Sequence, residues 1–316
     1  MTTAKAITPV RLYVTVSYMF LSEREVRDRL RLEDLIPALR RALIEFSAGR
    51  VIQPVRTIVA VPDHHGYFGL MPAVYGGLIG AKLVTFYPGN AGSLPTHHAV
   101  IQLFNAATGE PVITMDGRLI TELRTAAVSA IAVDLLAPAN TRVLAILGSG
   151  VQARSHLEAM RLVRAFPEIR VWSRTPGHAA RFAQETGAEA KPSADAAVDG
   201  ADVVVTVTSS LAPILRGAWL KPEALVIAVG AVGPTLRELD DGAMANTLVV
   251  DSREAALKES GDVILSKAKI YAEIGEIFAG IKEAPVSTTT VFKSVGIAIE
   301  DIATAKRVYD AACGKR

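Results

Sequence analysis

Residues 143–153 read VLAILGSGVQA, five apolar residues followed directly by a glycine-rich turn. The run Val143–Leu147 predicts a strand buried on both faces, and the sequence from Val151 predicts a helix. The turn fits the pattern G-x-G-x-x-A, whose glycines permit close approach of a pyrophosphate to the free N–H groups of a helix N-terminus. The setting predicts a dinucleotide site; the alternative is a glycine turn that only packs the helix against the sheet.

The same alternation of apolar strands and helices continues after this motif. Further strands are predicted at Ile169–Ser173, Val203–Thr208, Leu225–Gly230 and Leu248–Asp251, with a helix beginning at about Gly177. Alternating strands and helices indicate a parallel sheet with helices on both faces. This half of the chain therefore predicts an α/β domain of the doubly wound, Rossmann type.

The sequence before residue 125 has a different rhythm. A capping box at Ser22 and Glu25 predicts a short helix, and apolar residues at helical spacing predict a second helix from Leu32 to Ala48. Short strands bounded by turns follow: Thr57–Val61, Tyr67–Met71, Ala81–Phe86, Ala99–Phe104 and Val112–Met115. Consecutive strands joined by short turns predict an antiparallel sheet, so this half is expected to be α+β.

Two helices connect these halves. Glu122–Ala137 predicts a buried helix stopped by Pro138, and Val295–Ala312 predicts a last helix that packs back on the first domain. We expect residues 1–125 with 296–316 to form a substrate-binding and dimerisation domain. Residues 126–295 are expected to form the dinucleotide-binding domain.

Composition excludes several classes of function. The net charge of +2 argues against bulk nucleic-acid binding, and no apolar run reaches the roughly 18 residues that a membrane span needs. Leu12–Leu21 reads as a strand rather than a signal peptide. The single cysteine, Cys313, cannot form an intramolecular disulfide, and the spacing of His, Asp and Glu predicts no metal site. We expect a cytoplasmic protein that binds neither nucleic acid nor membrane.

The end of the second strand of the α/β half selects the cofactor. NAD sites usually place an acidic residue there for the ribose 2′-hydroxyl, but this sequence reads Ser173-Arg174-Thr175. Arg174 can face a 2′-phosphate while the two hydroxyls donate beside it, although it could also be a solvated loop residue. We therefore expect NADP(H) to be preferred and NAD(H) to remain possible.

The cofactor is expected to contact the glycine-rich turn and the residues that follow several strands. The expected contacts are Gly148, Ser149, Gly150, Val151, Gln152, Ser173, Arg174, Thr175, Thr206, Val207, Thr208, Val229, Gly230, Val232 and Ser294.

Motifs dispersed over nearly the whole chain resemble the ornithine cyclodeaminase/mu-crystallin family, and within it the ketimine reductases. The matching segments are Gln53–Thr57, Gly80–Tyr87, Met115–Gly117, Arg124–Ala130, Gly148–Ala153, Arg237–Asp241, Glu254–Asp262 and Thr290–Ser294. The resemblance implies an N-terminal α+β domain for substrate and dimerisation, a Rossmann domain, and a homodimer.

The resemblance also implies a site for an amino or imino acid carboxylate. Arg56, Lys82 and Arg124 would bind the carboxylate, with Lys82 and Arg124 as the catalytic pair, because an Arg fork binds a carboxylate bidentately. Apart from the resemblance, His97 and His98 precede a strand; a single histidine near a pocket is more often structural, but His97 could orient the substrate or pass a proton. Without the resemblance, Arg56 and Lys82 read as exposed strand ends and Arg124 as the solvated first turn of a helix.

One departure from the family pattern concerns the reaction. Cyclodeaminases carry an acid in the loop that here reads Gly230-Ala231-Val232-Gly233-Pro234, and Val232 takes its place unless Glu238 or Asp240 substitutes. The departure favours simple reduction of cyclic ketimine carboxylates, Δ1-pyrroline-2-carboxylate or Δ1-piperideine-2-carboxylate, to proline or pipecolate. The alternatives are an ornithine or lysine cyclodeaminase, an alanine-type amino-acid dehydrogenase, and a non-catalytic crystallin-like protein that binds NADPH and a small ligand.

Overall fold

The computed structural model describes residues 18–90 and 94–314, which form two sheets with helices packed against them. The elements of the first half, in chain order, are β1 (Met19–Leu21), α1 (Glu23–Arg27), α2 (Leu32–Ser47), β2 (Thr57–Val61), β3 (Gly66–Tyr75), β4 (Leu78–Phe86), β5 (His97–Asn105), β6 (Pro111–Asp116) and α3 (Arg118–Leu136).

The first sheet has six strands in the order β1-β6-β5-β4-β3-β2. Strands β2 to β6 pair antiparallel with their chain neighbours, as the short turns predict, whereas β1 pairs parallel to β6. Of the strand predicted over Leu12–Leu21, residues 18–21 are described, and Met19–Leu21 is a strand there; residues 1–17 lie outside the described residues. The predicted capping box is present, because the Ser22 N–H donates to Glu25 Oε2 at 2.8 Å and the Ser22 side chain accepts from the Glu25 N–H.

The second half alternates strands and helices, as predicted. Its elements are β7 (Val143–Leu147), α4 (Val151–Val163), β8 (Glu168–Trp172), α5 (Pro176–Thr186), β9 (Glu189–Ala190), α6 (Ala194–Val198), β10 (Val203–Thr206), β11 (Leu225–Ala228), α7 (Asp241–Met244), β12 (Thr247–Val250), α8 (Arg253–Glu259), α9 (Gly261–Ser266), β13 (Ile270–Glu273), α10 (Ile274–Phe278), β14 (Thr290–Lys293) and α11 (Ala298–Ala312).

The second sheet has eight parallel strands in the order β13-β12-β14-β11-β10-β7-β8-β9, which confirms the Rossmann-type α/β class. Its central strands β7, β10 and β11 are wholly or almost wholly buried, which explains their continuous apolar sequences. The strand β14 was not predicted from the sequence; it enters the sheet between β11 and β12, although it is the last strand of the chain.

Two helices begin three or four residues away from the predicted start. Helix α3 begins at Arg118 instead of Glu122, because the Arg118 N–H is bound by Asp116 Oδ1 at 2.9 Å and the Thr121 hydroxyl donates to the Gly117 carbonyl. Helix α11 begins at Ala298 instead of Val295. Arg124 therefore lies in the second turn of α3, inside the protein rather than at a solvated helix end.

Helix α11 packs on α2, α3 and on strands β3, β4 and β5 of the first sheet. This packing brings its first turn next to the second turn of α3 and to the middle of β4. The bounds proposed for the two domains stay a prediction. Within the described residues, we find no helix with the length and apolar character needed to cross a bilayer.

Candidate functional site

The glycine-rich turn joins β7 to α4 in the geometry that a dinucleotide needs. Gly148 has a φ of +124°, and a Cβ at this position would lie 2.9 Å from the Val207 carbonyl oxygen. Gly150 precedes the first residue of α4 and offers no capping side chain, so the first N–H groups of the helix stay available to an anion. The residues present therefore fit a bound pyrophosphate.

The other expected cofactor contacts follow the carboxyl ends of neighbouring strands. The Val207 N–H donates to the Leu147 carbonyl at 3.0 Å, and the Val229 N–H donates to the Thr206 carbonyl at 3.0 Å. These residues line up beside the turn because β10 lies next to β7 and β11 lies next to β10. From β7 the chain continues to β8 and β9 on one side of β7, and it then crosses back to β10 on the other side. This reversal of strand order is the switch point where such sheets bind ligands.

Three of the expected contacts have hydroxyls that already donate to a carboxylate of the protein. The Thr206 and Thr208 hydroxyls donate to the Glu238 carboxylate at 2.8 and 2.7 Å. The Ser294 hydroxyl donates to Asp251 Oδ2 at 2.9 Å, so the Ser294 side chain joins the end of β14 to the end of β12.

The two acids named as substitutes for the loop carboxylate have other tasks. Glu238 is fully buried beneath the strand ends, where burial raises the pKa of its carboxyl group and the two threonines hold its oxygens. Asp240 accepts from the Ala243 N–H at 2.8 Å and caps α7. Val232 itself is 40% exposed in the loop after β11.

The segment after β8 carries the residues expected to select the cofactor. Ser173, Arg174 and Thr175 lie between β8 and α5, and Arg174 is exposed there. A second arginine was missed in the sequence. Arg154, on the first turn of α4, donates from Nη1 to the Ser149 carbonyl at 2.7 Å and pairs with Glu185. It places a positive charge directly beside the glycine-rich turn.

Lys82 and Arg124 meet at a single carboxylate. Lys82 Nζ lies 2.7 Å from Asp301 Oδ2, and Arg124 Nε lies 3.1 Å from Asp301 Oδ1. Arg124 Nη1 also lies 2.5 Å from Glu300 Oε2. Lys82 is 2% exposed and Arg124 5% exposed, so the alternative interpretation of both as solvated residues is wrong.

Arg56 approaches the same place from the other side. Its Nε donates to Glu259 Oε1 at 2.9 Å, and its Nη2 donates to the carbonyls of Val295 and Gly296. Gly296 lies against the Arg124 guanidinium, which a Cβ at that position would strike. The three basic residues expected to bind a carboxylate are therefore gathered around the segment before α11.

Burial shifts the titration of these groups. It lowers the pKa of Lys82 to about 8, although the negative charge of Asp301 opposes the shift. Burial raises the pKa of Glu300 to about 7 against the opposing charge of Arg124. Titratable groups whose pKa values are shifted by desolvation are typical of catalytic and binding sites.

Glu259 is an acid of the site that sequence reasoning missed. Burial raises its pKa, and its Oε2 has no hydrogen-bond partner within residues 18–90 and 94–314. It borders a cavity of about 60 Å³ that Arg56 also lines, which has room for water rather than for a substrate. Its backbone carbonyl accepts from the Gly233 N–H at 2.7 Å and so contacts the loop that carries Val232.

His97 begins β5 at the edge of this region. Its ring stacks on Phe86 with 4.5 Å between centroids, and its Nδ1 lies 3.0 Å from the Thr96 hydroxyl. Partial desolvation lowers the pKa of the His97 imidazole, and the nearby Lys82 charge adds to this effect. In the described part of the chain no group of three or more His, Cys, Asp or Glu residues is arranged to hold a metal ion.

Comparison with known proteins gives a consistent result. The model of the ornithine cyclodeaminase/mu-crystallin family matches residues 16–316. Ketimine reductase mu-crystallin of Mus musculus is 50% identical over 301 residues, which are 92% of this chain and 96% of that protein.

Two solved structures share the whole architecture. The Thermococcus litoralis Δ1-pyrroline-2-carboxylate reductase in complex with NADH and L-proline superposes with a TM-score of 0.89 at 34% identity, covering 94% of this chain and 98% of that one. An archaeal alanine dehydrogenase dimer with bound NAD also gives a TM-score of 0.89, at 31% identity, with 94% and 96% of the two chains covered.

Proposed function

Because this chain belongs to the ornithine cyclodeaminase/mu-crystallin family, we propose that it reduces cyclic ketimine carboxylates with a nicotinamide cofactor. The substrates are Δ1-pyrroline-2-carboxylate and Δ1-piperideine-2-carboxylate, and the products are proline and pipecolate. One observation carries the proposal beyond the similarity: Lys82 and Arg124 are buried together on one carboxylate, with Arg56 close by, beside the carboxyl ends of the Rossmann strands.

The substrate carboxylate binds to the buried cations. Arg124 uses Nε and Nη1 on the protein carboxylates, and within the described residues its Nη2 has no protein acceptor. Nη2 and the Lys82 ammonium then hold the substrate carboxylate in a desolvated place, where a charge-assisted contact is strong. This anchoring fixes the C=N carbon, and fixed orientation lowers the barrier to transfer.

A bound nicotinamide cofactor would supply the hydride for that carbon. The glycine-rich turn and the α4 N-terminus would hold its pyrophosphate, and Arg174 with Ser173 and Thr175 would favour the 2′-phosphate of NADPH. NADH remains usable. Glu259, whose Oε2 has no hydrogen-bond partner within the described residues and whose pKa is raised by burial, is the acid that we propose to protonate the ring nitrogen, since the protonated iminium is the form that accepts hydride most readily.

The other candidate functions fit the site less well. An ornithine or lysine cyclodeaminase needs a carboxylate where Val232 stands, and Glu238 and Asp240 are held elsewhere. A non-catalytic binding protein has no need to gather three cations around one short segment of the chain. An alanine-type dehydrogenase is the remaining alternative, since the same anchor suits an open-chain imino acid.

We also propose a cytoplasmic homodimer. One face of the first sheet carries exposed apolar side chains on several strands, including Val59, Ile79 and Val100, which a second subunit would cover. The related archaeal alanine dehydrogenase is a dimer.

The decisive experiment is a panel of cyclic and open-chain imino acids, with NADPH and NADH oxidation followed at 340 nm. Ketimine carboxylates should give the highest kcat/KM, and pyruvate with ammonia should give much less. Faster turnover of pyruvate with ammonia would favour the dehydrogenase, and no oxidation with any substrate would favour the binding protein.

A further inference from the structure

Asp301 contacts both Lys82 and Arg124, the two residues to which the proposed function assigns the substrate carboxylate. Its two oxygens divide between them: Oδ2 lies 2.7 Å from Lys82 Nζ and Oδ1 lies 3.1 Å from Arg124 Nε. Lys82 is on β4 and Arg124 is on α3, so no local geometry fixes their separation. Asp301 is fully buried on α11, and the fixed helix therefore sets where both cations lie.

The surroundings of Lys82 show what Asp301 contributes. The charged and titratable groups that act on it or respond to it are Asp301 on α11, Arg124 on α3, Arg56 before β2 and His97 on β5. Arg124 and Arg56 repel the ammonium, and burial disfavours it, so Asp301 is the one attractive charge among these four. Glu300 contacts Arg124 instead.

We infer that Asp301 is a positioning residue, which holds the Lys82 ammonium charged and in register with Arg124 so that both meet one substrate carboxylate. This inference rests on the proposed function. A neutral side chain at 301 would leave two buried cations facing each other, and the first to respond would be Lys82, which can lose its proton, whereas Arg124 cannot.

The probe is pyrrole-2-carboxylate, a planar carboxylate without a basic nitrogen, so its own ionisation does not enter the measurement. Its Kd is measured by calorimetry from pH 6 to 10 on full-length protein saturated with NADP⁺. In the wild type, binding should weaken as Lys82 loses its proton in the alkaline range. Wild-type protein that neither binds the probe nor reduces a ketimine overturns the proposed function and this inference with it.

The test variant is Asp301→Asn. We expect the Kd at pH 7 to rise about 10- to 100-fold, the range found for partners that orient metal ligands. We also expect the alkaline midpoint of binding to move to lower pH by about one unit or more, because the attractive charge on Lys82 is gone. NADP⁺ affinity should hold.

Two matched variants separate positioning from a merely structural role. Glu300→Gln removes the neighbouring carboxylate, which contacts Arg124, and it should leave the alkaline midpoint of probe binding unchanged. Asp310→Asn, later on α11 and paired with Lys306, should change neither quantity. An Asp301→Asn protein with wild-type Kd and midpoint overturns the inference, and so does a uniform loss of affinity with the midpoint unmoved.

If Asp301→Asn does not fold, the double variant Lys82→Met/Asp301→Asn decides. Removing both charges of a buried pair costs less stability than removing one. A double variant that folds and binds NADP⁺ supports the pairing. A double variant as unstable as the single one overturns it.

Discussion

Arg124→Met tests the carboxylate anchor most directly. Methionine keeps much of the side-chain bulk on α3 but removes the guanidinium that lies between Glu300, Asp301 and the expected substrate carboxylate. If Arg124 binds the substrate, kcat/KM for Δ1-pyrroline-2-carboxylate should fall sharply. NADPH affinity should hardly change, because the glycine-rich turn and Arg174 lie on the second sheet.

The size of the effect follows from burial. Truncating one partner of a buried, hydrogen-bonded charge pair costs about 2–5 kcal/mol, which corresponds to a loss of about 30- to 5000-fold in kcat/KM. The free energy of unfolding should also fall, by about 3 kcal/mol, since a buried carboxylate loses its partner. This loss of stability should lie at the low end of the range of about 3–5 kcal/mol for a broken buried ion pair. Asp301 keeps its contact with Lys82, and because burial already raises the pKa of Glu300 to about 7, Glu300 takes up a proton.

Two matched variants separate the activity loss from the stability loss. Arg124→Met/Glu300→Gln removes the carboxyl group that has lost its partner, and it should regain part of the stability without regaining activity. Arg118→Met removes an arginine from the same helix that pairs with Glu23 near the surface, and it should keep kcat/KM within about twofold. Stopped-flow NADPH oxidation and thermal unfolding supply the two readouts. A stable Arg124→Met protein with nearly full activity would refute the assignment.

The remaining predictions address cofactor, reaction and assembly. Arg174→Ala should weaken NADPH binding by about 1.5–3 kcal/mol and leave NADH nearly unchanged in fluorescence titrations, and an equal loss for both cofactors would contradict its role. Gly148→Ala should weaken both cofactors at least ~10-fold in the same titrations, since its φ of +124° and the nearby Val207 carbonyl disfavour a Cβ; wild-type affinity would speak against the turn as the pyrophosphate site. The wild type should release little ammonia from ornithine, and Val232→Asp should not be needed for ketimine reduction; ammonia release as fast as ketimine reduction would reverse the choice of reaction. Light scattering should give about twice 33.5 kDa at micromolar concentration, and a 33.5 kDa particle would refute the dimer.

The sequence predicts those parts of the fold that depend on local pattern. The run Val143–Leu147 with its glycine-rich turn, and the antiparallel strands before residue 116, need only apolar periodicity and turn residues. Strand β14 escapes this reasoning, because its place between β11 and β12 depends on long-range pairing.

The candidate site shows the same division. The family resemblance predicts the three basic residues Arg56, Lys82 and Arg124, but it does not predict their acidic partners. Glu300 and Asp301 read locally as acids in the first turn of a helix, where they suit the helix dipole. Their partner Arg124 lies more than 170 residues away in the chain, and only tertiary packing joins them.

The charge balance of the site explains why reduction of a preformed ring fits it best. Arg56, Lys82 and Arg124 each already pair with a carboxyl group of Glu259, Asp301 or Glu300. A protonated ketimine carboxylate carries one charge of each sign and enters without changing the net charge of the cluster. Ornithine or lysine carries an additional ammonium, which needs an anion of its own near the loop after β11. Val232 stands in that loop, and Glu259, whose carbonyl the loop contacts, already gives one carboxylate oxygen to Arg56. The diamino acid would therefore desolvate a charge without a partner, a cost that the ketimine avoids.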